Sequence, residues 1–285
     1  MLSFEEQLDK LIAAALQEDI GDGDHSSLCC IAAGAKGRAV LKVKQAGILA
    51  GMEVAEKIFR HKEPSVVFSA FKKDGEAVQP GEIAFEVSGH IHTLLQCERL
   101  VLNCMQRMSG IATLTRQYVD RIQGYHSKIL DTRKTTPNFR LLEKEAVRIG
   151  GGMNHRMGLY DMIMLKDNHI DFCGGLEKAI ELAWTYVQDN KPHLRIEVET
   201  RNAEEVKRAL ATGKVHRIML DNFTPEQISE ALQYVQGKVE TEASGGINLG
   251  NVEAYAKTGV DFISVGALIH QATSIDLSLK AQLVS

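Results

Sequence analysis

Residues 195–221, RIEVETRNAEEVKRALATGKVHRIMLD, read as strand, helix, strand. RIEVE (195–199) and RIMLD (217–221) are short strand-like runs, and the pattern between them over 203–211 is helical. The unit recurs on both sides. KILD (128–131), MIMLK (162–166), VETEAS (239–244) and FISVG (262–266) are strand-like too, and 175–188, 225–236 and 249–257 carry helical patterns. Repeated strand–helix units predict a parallel sheet with right-handed crossovers. Six units suit a partly closed α/β barrel better than an open sheet, and they fall short of the eight that complete one. No GxGxxG follows a first strand, which leaves a dinucleotide-binding fold little support.

The chain before Gly124 has another texture. Residues 3–19 predict a helix, with a capping box from Ser3 to Glu6 and Leu8, Leu11, Ile12, Ala15 and Leu16 on one face. EDIGDGD (18–24) reads as a turn-rich loop. AVLKVK (39–44) alternates as a half-buried strand, 52–61 is helical, and SVVFSAF (65–71) and EIAFEV (82–87) are strands separated by Asp74-Gly75 and Pro80-Gly81 turns. Residues 93–120 predict one long helix, or two interrupted near Ser109-Gly110, and Gly124 marks a linker. Strands and helices mixed without a repeat predict an α+β domain.

The bulk composition narrows the class. The chain has 285 residues, 44% hydrophobic and 25% charged, which predicts a soluble globular protein of one large or two modest domains. No apolar run approaches the roughly 18 residues of a membrane span. The N-terminus is acidic and amphipathic, unlike a signal or transit peptide, so the cytoplasm is the expected location. Five cysteines without a CxxC pair argue against structural zinc and a disulfide framework, and most of them are expected to be buried free thiols. The absence of a basic tract and an aromatic content of 6% argue against nucleic acid.

In α/β barrels the C-terminal strand ends converge on one face, which holds the active site. Here the strands end at Asp131, Lys166, Glu199 and Asp221, then run into Ser244-Gly245-Gly246 and Gly266-Ala267. Asp131 opens a segment, DTRKTTPNFRLLEKEAVRIGGGMNHRMGLYDMIMLKDNH (131–169), that carries Arg133, Lys134, His155, Arg156 and Lys166 in a chain of net charge −4. Local positive charge in an acidic protein points to a small, multiply charged anion. Arg133, Arg156 and Lys166 suit carboxylates. Glu199 and Asp221 suit a divalent cation such as Mg²⁺, arriving with water and substrate phosphates. Glu197 shares the strand face of Glu199 and is expected to be a deeper structural partner. Ser244-Gly245-Gly246 can aim backbone N–H groups at a phosphate, and Gly266 permits close approach at the next strand end. Gly150-Gly151-Gly152 is expected to form a tight loop presenting His155 and Arg156. Each ending alone is as compatible with a solvated lysine or a helix cap; their succession is what argues for a site.

These residues closely resemble the quinolinate phosphoribosyltransferase family. The resemblance runs from EDIGDGD (18–24) to SVGALIH (264–270), strongest in ERLVLNCMQRMSGIAT (98–113), DTRKTTPNFRLLEKEAVRIGGGMNHR (131–156), MLKDNH (164–169), EVET (197–200), MLDN (219–222) and EASGGI (242–247). It implies an N-terminal α/β sandwich domain over 1–122, joined by the C-terminal segment 272–285, and an incomplete, TIM-like α/β barrel over 123–271. It implies conversion of quinolinate and 5-phosphoribosyl diphosphate, with Mg²⁺, to nicotinate mononucleotide, diphosphate and CO2. Carried over, Arg99, Thr132, Arg133, His155, Arg156 and Lys166 would line the quinolinate pocket, and Lys134 would lie between the substrates. Glu199 and Asp221 would face the ribose and its Mg²⁺. Ser244, Gly245, Gly246 and Gly266 would receive the 5-phosphate, with His270 near it. Lys134, Glu199 and Asp221 would be the catalytic set. The resemblance also implies a homodimer, or a higher oligomer of dimers, in which Arg99 serves the neighbouring subunit's site; by its own sequence Arg99 reads as a surface residue on a long helix.

Three rival readings remain at this level. One is a paralogous protein of molybdenum transport operons, against which the dense cationic set argues. Another is an aldolase or isomerase barrel with Lys134 or Lys166 as a Schiff base, which would want few anions nearby. The third is a metabolite-binding protein without turnover.

Overall fold

A computed structural model describes residues 2–282. In chain order its helices and strands are α1 (Phe4–Ile20), α2 (His25–Cys30), β1 (Lys36–Val43), β2 (Gly47–Ile48), α3 (Met52–Lys62), β3 (Val67–Ala70), β4 (Ala77–Val78), β5 (Ile83–His90) and α4 (Ile91–Arg121). The second half continues with β6 (Lys128–Leu130), α5 (Arg140–Ile149), β7 (Ile163–Leu165), α6 (Asp167–Cys173), α7 (Leu176–Asn190), β8 (Ile196–Thr200), α8 (Ala203–Ala211) and β9 (Arg217–Asp221). Then come α9 (Pro225–Val235), β10 (Glu240–Ser244), α10 (Val252–Ala256), β11 (Phe262–Ser264), α11 (Ala267–His270) and β12 (Leu277–Gln282).

The chain forms two compact units. The first gathers residues 1–116, 135–151 and 269–285; the second gathers 117–134 and 152–268. The division thus falls within α4, before Gly124, and residues 283–285 of the expected C-terminal segment lie outside the described residues.

The first unit holds a four-stranded sheet in the order β12-β1-β5-β3, antiparallel throughout. β1 buries Ala39, Val40 and Leu41 in succession, so the expected alternation holds only from Leu41 on, and Phe59, Phe68 and Phe85 pack with ring centroids 4.5–6.5 Å apart. α1 starts with the expected capping box and buries Leu8, Ile12 and Leu16. Helix α4 runs unbroken through Ser109-Gly110, which decides for one long helix over two. The glycine is there for space: a Cβ on Gly110 would sit 2.2 Å from the Thr273 carbonyl oxygen. Ser109 satisfies Ala50 N–H at 2.9 Å. From α4, Arg107 grips the fully buried Glu143 of α5 at 2.9 and 3.0 Å and donates to the carbonyls of Ile269 and Ala272. Helix α5 buries Glu143 and Lys144 among Leu142, Ala146 and Val147.

The second unit is a six-stranded parallel sheet, order β6-β11-β10-β9-β8-β7. Helices α7 to α10 lie between its strands in sequence, as the repeated units predict. Among the described residues no ladder joins β6 to β7, so the barrel is incomplete. The core face is apolar (Ile196, Val198, Ile218, Leu220, Ala243 and Ile263), which frees the alternate positions for polar groups. The cysteine expectation needs correcting. Cys97 and Cys104 are buried, with burial pushing both thiols up to about 12, but Cys173 is half-buried and Cys29 and Cys30 are exposed on α2, a helix too short to bury both faces.

Candidate active site

A cleft of about 410 Å³ opens at the C-terminal ends of the parallel strands. Its lining includes Thr132, Arg133, Lys134, His155, Arg156, Lys166, Glu199, Asp221 and Ser244, all residues of the second unit. Strand register explains the convergence. Glu199 pairs with Met219, and Asp221 pairs with Ser244, so side chains two residues apart on β8, β9 and β10 emerge on one face. Gly245 and Gly246 follow Ser244 directly without being among the lining residues, and Gly266 lies two residues beyond β11. Arg99, on α4, and His270, ending α11, belong to the first unit and are exposed.

The loop carrying His155 and Arg156 is held by backbone bonding to β6. Met153 N–H donates to Ile129 O at 2.8 Å, and Asp131 N–H donates to Met153 O at 3.1 Å. That bridge brings His155 N–H onto Oδ1 of the fully buried Asp131 at 2.8 Å. Gly150 serves packing: a Cβ there would meet the Ala112 carbonyl oxygen and Thr115 Cβ at 2.6 Å.

Beneath the cleft lies an ionic layer that sequence reasoning saw only in part. His155 Nε2 stands 2.9 Å from Glu197 Oε2 and 3.4 Å from Glu242 Oε2. Arg217 Nη1 donates to Glu242 at 3.0 Å, while its Nε and Nη2 reach Glu240 at 3.1 and 2.9 Å. Glu197 and Glu242 are both 0% exposed, which confirms Glu197 as a deeper partner. Burial opposes the charge on His155, but the two carboxylates outweigh it and raise its pKa to about 9. Burial, with Glu242 nearby, raises the Glu197 carboxyl. Burial opposes the charge on Glu242 too, yet His155, Arg217 and Ser264 pull its carboxyl down. One contact works against a charged ring: Arg156 N–H points at His155 Nδ1, 2.7 Å away, which suits a lone pair there. Two buried carboxylates outweigh one peptide dipole, so the ring holds the proton at neutral pH.

Both nitrogens of His155 thus face protein groups, and the ring's charge is held by Glu197 and Glu242. Arg156 donates to Met162 O at 3.3 Å, and burial together with neighbouring Arg133 lowers its pKa. Two guanidiniums held close on a buried wall favour an anion that bridges them. On the other side, Lys166 Nζ lies 3.5 Å from Glu199 Oε2. Burial raises the Glu199 carboxyl despite Lys166, with Asp221 and Asp167 adding to it. Two carboxylates that repel at a cleft wall fit a divalent cation, which would relieve the repulsion. The cluster of His155, Glu197 and Glu242, whose ligand-type atoms all lie within 4.8 Å of one another, fits one less well because Arg217 already balances Glu242.

The comparisons with known proteins show the family. Residues 24–109 match the quinolinate phosphoribosyl transferase N-terminal domain, and residues 111–280 match its C-terminal domain. The chain belongs to the quinolinate phosphoribosyl transferase family. Among family members, it is 42% identical over 288 residues to the chloroplastic carboxylating nicotinate-nucleotide pyrophosphorylase of Arabidopsis thaliana, covering 96% of this chain and 82% of that one. A probable carboxylating nicotinate-nucleotide pyrophosphorylase of Synechocystis is also 42% identical, over 96% of this chain and 92% of its own. The crystal structure of NadC from Streptococcus pyogenes superposes with a TM-score of 0.92 at 38% identity, covering 100% of this chain and 99% of that one.

Proposed function

We propose that the chain transfers the phosphoribosyl group of 5-phosphoribosyl diphosphate to quinolinate, releasing diphosphate and CO2 and forming nicotinate mononucleotide. The observation that carries the reading is the grouping of charge in one cleft: Arg156 feels neighbouring Arg133, Glu199 feels neighbouring Asp221, and Lys134, Lys166 and Ser244 share the same lining. A dicarboxylate meets the arginines, which can grip it bidentately. The ribose meets the acids, whose charge stabilises an oxocarbenium-like centre as diphosphate departs. Lys134 would lie between the two substrates. Mg²⁺ held by Glu199 and Asp221, through water and substrate, would neutralise the departing diphosphate. Once the ring nitrogen carries ribose, the bond from C2 to its carboxylate breaks, the electron pair stays at C2 beside the cationic nitrogen, and a proton takes the vacated place. No residue has to act as a nucleophile.

Lys166 is ion-paired with Glu199, an arrangement unsuited to a Schiff-base lysine. The paralogous reading through molybdenum transport operons finds no support among the relatives above. We place the protein in the cytoplasm as a homodimer with Arg99 reaching the neighbouring site; among the described residues no helix is long and apolar enough to cross a membrane. The reading is tested by incubating purified protein with Mg²⁺, 5-phosphoribosyl diphosphate and quinolinate. Nicotinate mononucleotide and CO2 should appear together, and nicotinate in place of quinolinate should give no CO2. Quinolinate binding without either product would overturn it in favour of a binding protein.

A further inference from the structure

Asp221 is followed by a residue in a rarely used conformation. Asn222 has φ 58°, in the left-handed region that asparagine tolerates better than most side chains. Three contacts fix it. Its backbone N–H donates to Ser244 O at 2.8 Å, just outside the β9–β10 ladder. Its side-chain Nδ2 donates to Asp221 Oδ2 at 2.6 Å. Its Oδ1 lies over Gly245, where an added Cβ would stand 2.2 Å from Oδ1 and 2.7 Å from Cγ. Gly245 itself has φ 96°, so that position excludes a side chain twice over.

We propose that Asn222 is a positioning residue that locks the Asp221 carboxylate to the glycine turn beginning at Ser244. The proposal rests on the phosphoribosyl-transfer reading above. A carboxylate at the end of a strand can rotate about two bonds, and its oxygens are equivalent until a neighbour chooses between them. The Asn222 amide commits Oδ2 and leaves the other oxygen to serve the ligand. The same amide packs against Gly245, so the acid that faces the ribose and the turn offered to the 5-phosphate move as one piece. A left-handed backbone is needed because it folds the side chain back over both neighbours. An ordinary asparagine in a turn would satisfy its own backbone; this one bonds the preceding functional side chain and blocks the facing glycine.

The test uses Asn222→Gly, which accepts φ 58° and deletes the amide, and Asn222→Asp, which keeps shape and backbone but loses the donor and adds a charge beside Asp221. Calorimetry gives the dissociation constants of quinolinate and of 5-phosphoribosyl diphosphate with Mg²⁺ separately, and steady-state rates give kcat. Losing one hydrogen bond to a carboxylate should weaken 5-phosphoribosyl diphosphate binding about five- to tenfold in Asn222→Gly, more in Asn222→Asp, with quinolinate binding changed less than about twofold. Lower kcat should accompany it. If Asn222→Gly melts early, Asn222→Asp carries the test alone. Folded variants that bind 5-phosphoribosyl diphosphate as tightly as the parent, or that lose both ligands equally, overturn the positioning role. A parent protein that neither binds 5-phosphoribosyl diphosphate nor releases CO2 overturns the functional reading instead.

Discussion

Stability of this fold should fall with rising pH across the alkaline range because of one buried ring. His155 is raised from 6.5 to about 9 by Glu197 and Glu242. At about 1.4 kcal/mol per pH unit, that shift makes the charged ring favour the folded state by on the order of 3 kcal/mol. The sign follows from the direction. A histidine raised on folding contributes fully below its unfolded pKa of about 6.5, loses the contribution as pH climbs, and contributes nothing above about 9. The perturbation is therefore pH itself, with His155→Gln as the reference that removes the ring. Urea unfolding of both proteins from pH 6 to pH 10 gives the difference in stability at each pH. It should be largest at pH 6 and shrink through pH 7 and 8 by about 1.4 kcal/mol per unit, reaching a plateau near pH 9. The alternative lies in the same structure. If the Arg156 N–H contact at Nδ1 dominates, the ring stays neutral in the folded protein. The difference would then be flat or would grow with pH, and the assignment of charge to the ionic layer would be wrong.

Other substitutions probe the rest of the molecule. Arg133→Ala and Arg156→Ala should each weaken quinolinate binding by about 1.5–3 kcal/mol while sparing 5-phosphoribosyl diphosphate, measured by calorimetry; equal losses for both ligands would count against the partition of the cleft. Arg99→Ala and Lys166→Ala should be nearly inactive alone, yet recover roughly a quarter of parental activity when dissociated and reassembled together, because half of random dimers are mixed and each mixed dimer has one intact site. No recovery after exchange is proven by mass spectrometry would place Arg99 in its own subunit's site. Gly110→Ala should lower the denaturation midpoint by more than a helix-favouring substitution normally raises it, since the new methyl meets the Thr273 carbonyl; an unchanged or higher midpoint would refute that packing.

Much of this could be read in advance where chemistry and period coincide. The six parallel strands were legible because each is a short apolar run between polar turns, and their ends were legible because barrels gather strand ends on one face. Thr132, Arg133, Lys134, Lys166, Glu199, Asp221 and Ser244 all follow that rule and all line one cleft. Helix α6 was missed because it is only seven residues long and its one buried side chain, Ile170, gives no period. Whether α4 was one helix or two stayed open for a different reason: a glycine inside a helix signals either a weak point or a close neighbour, and only the fold shows that Thr273 is that neighbour.

The ionic layer marks the limit of reading along a chain. VETEAS places Glu240 and Glu242 on one face of a strand, which by itself suggests a solvated edge. Register changes the meaning. Glu197, Arg217 and Glu240 fall in one row across β8, β9 and β10, so two acids flank a buried arginine, while Glu242 comes within reach of His155 one row higher. None of these pairs is closer than 20 residues in sequence, apart from residues on the same strand. A buried carboxylate is costly unless it is paired, so Glu242 in isolation argued against burial. Here Arg217 and His155 balance the two fully buried glutamates, Glu197 and Glu242, and Asp131 fixes the backbone of the loop that carries His155 and Arg156. The signal was present as alternating acids on adjacent buried strands with a single arginine between them, but it becomes an argument only when the strands are aligned. A cationic wall that must stay in place against its own repulsion needs such anionic support behind it, and the two buried glutamates supply it where solvent cannot.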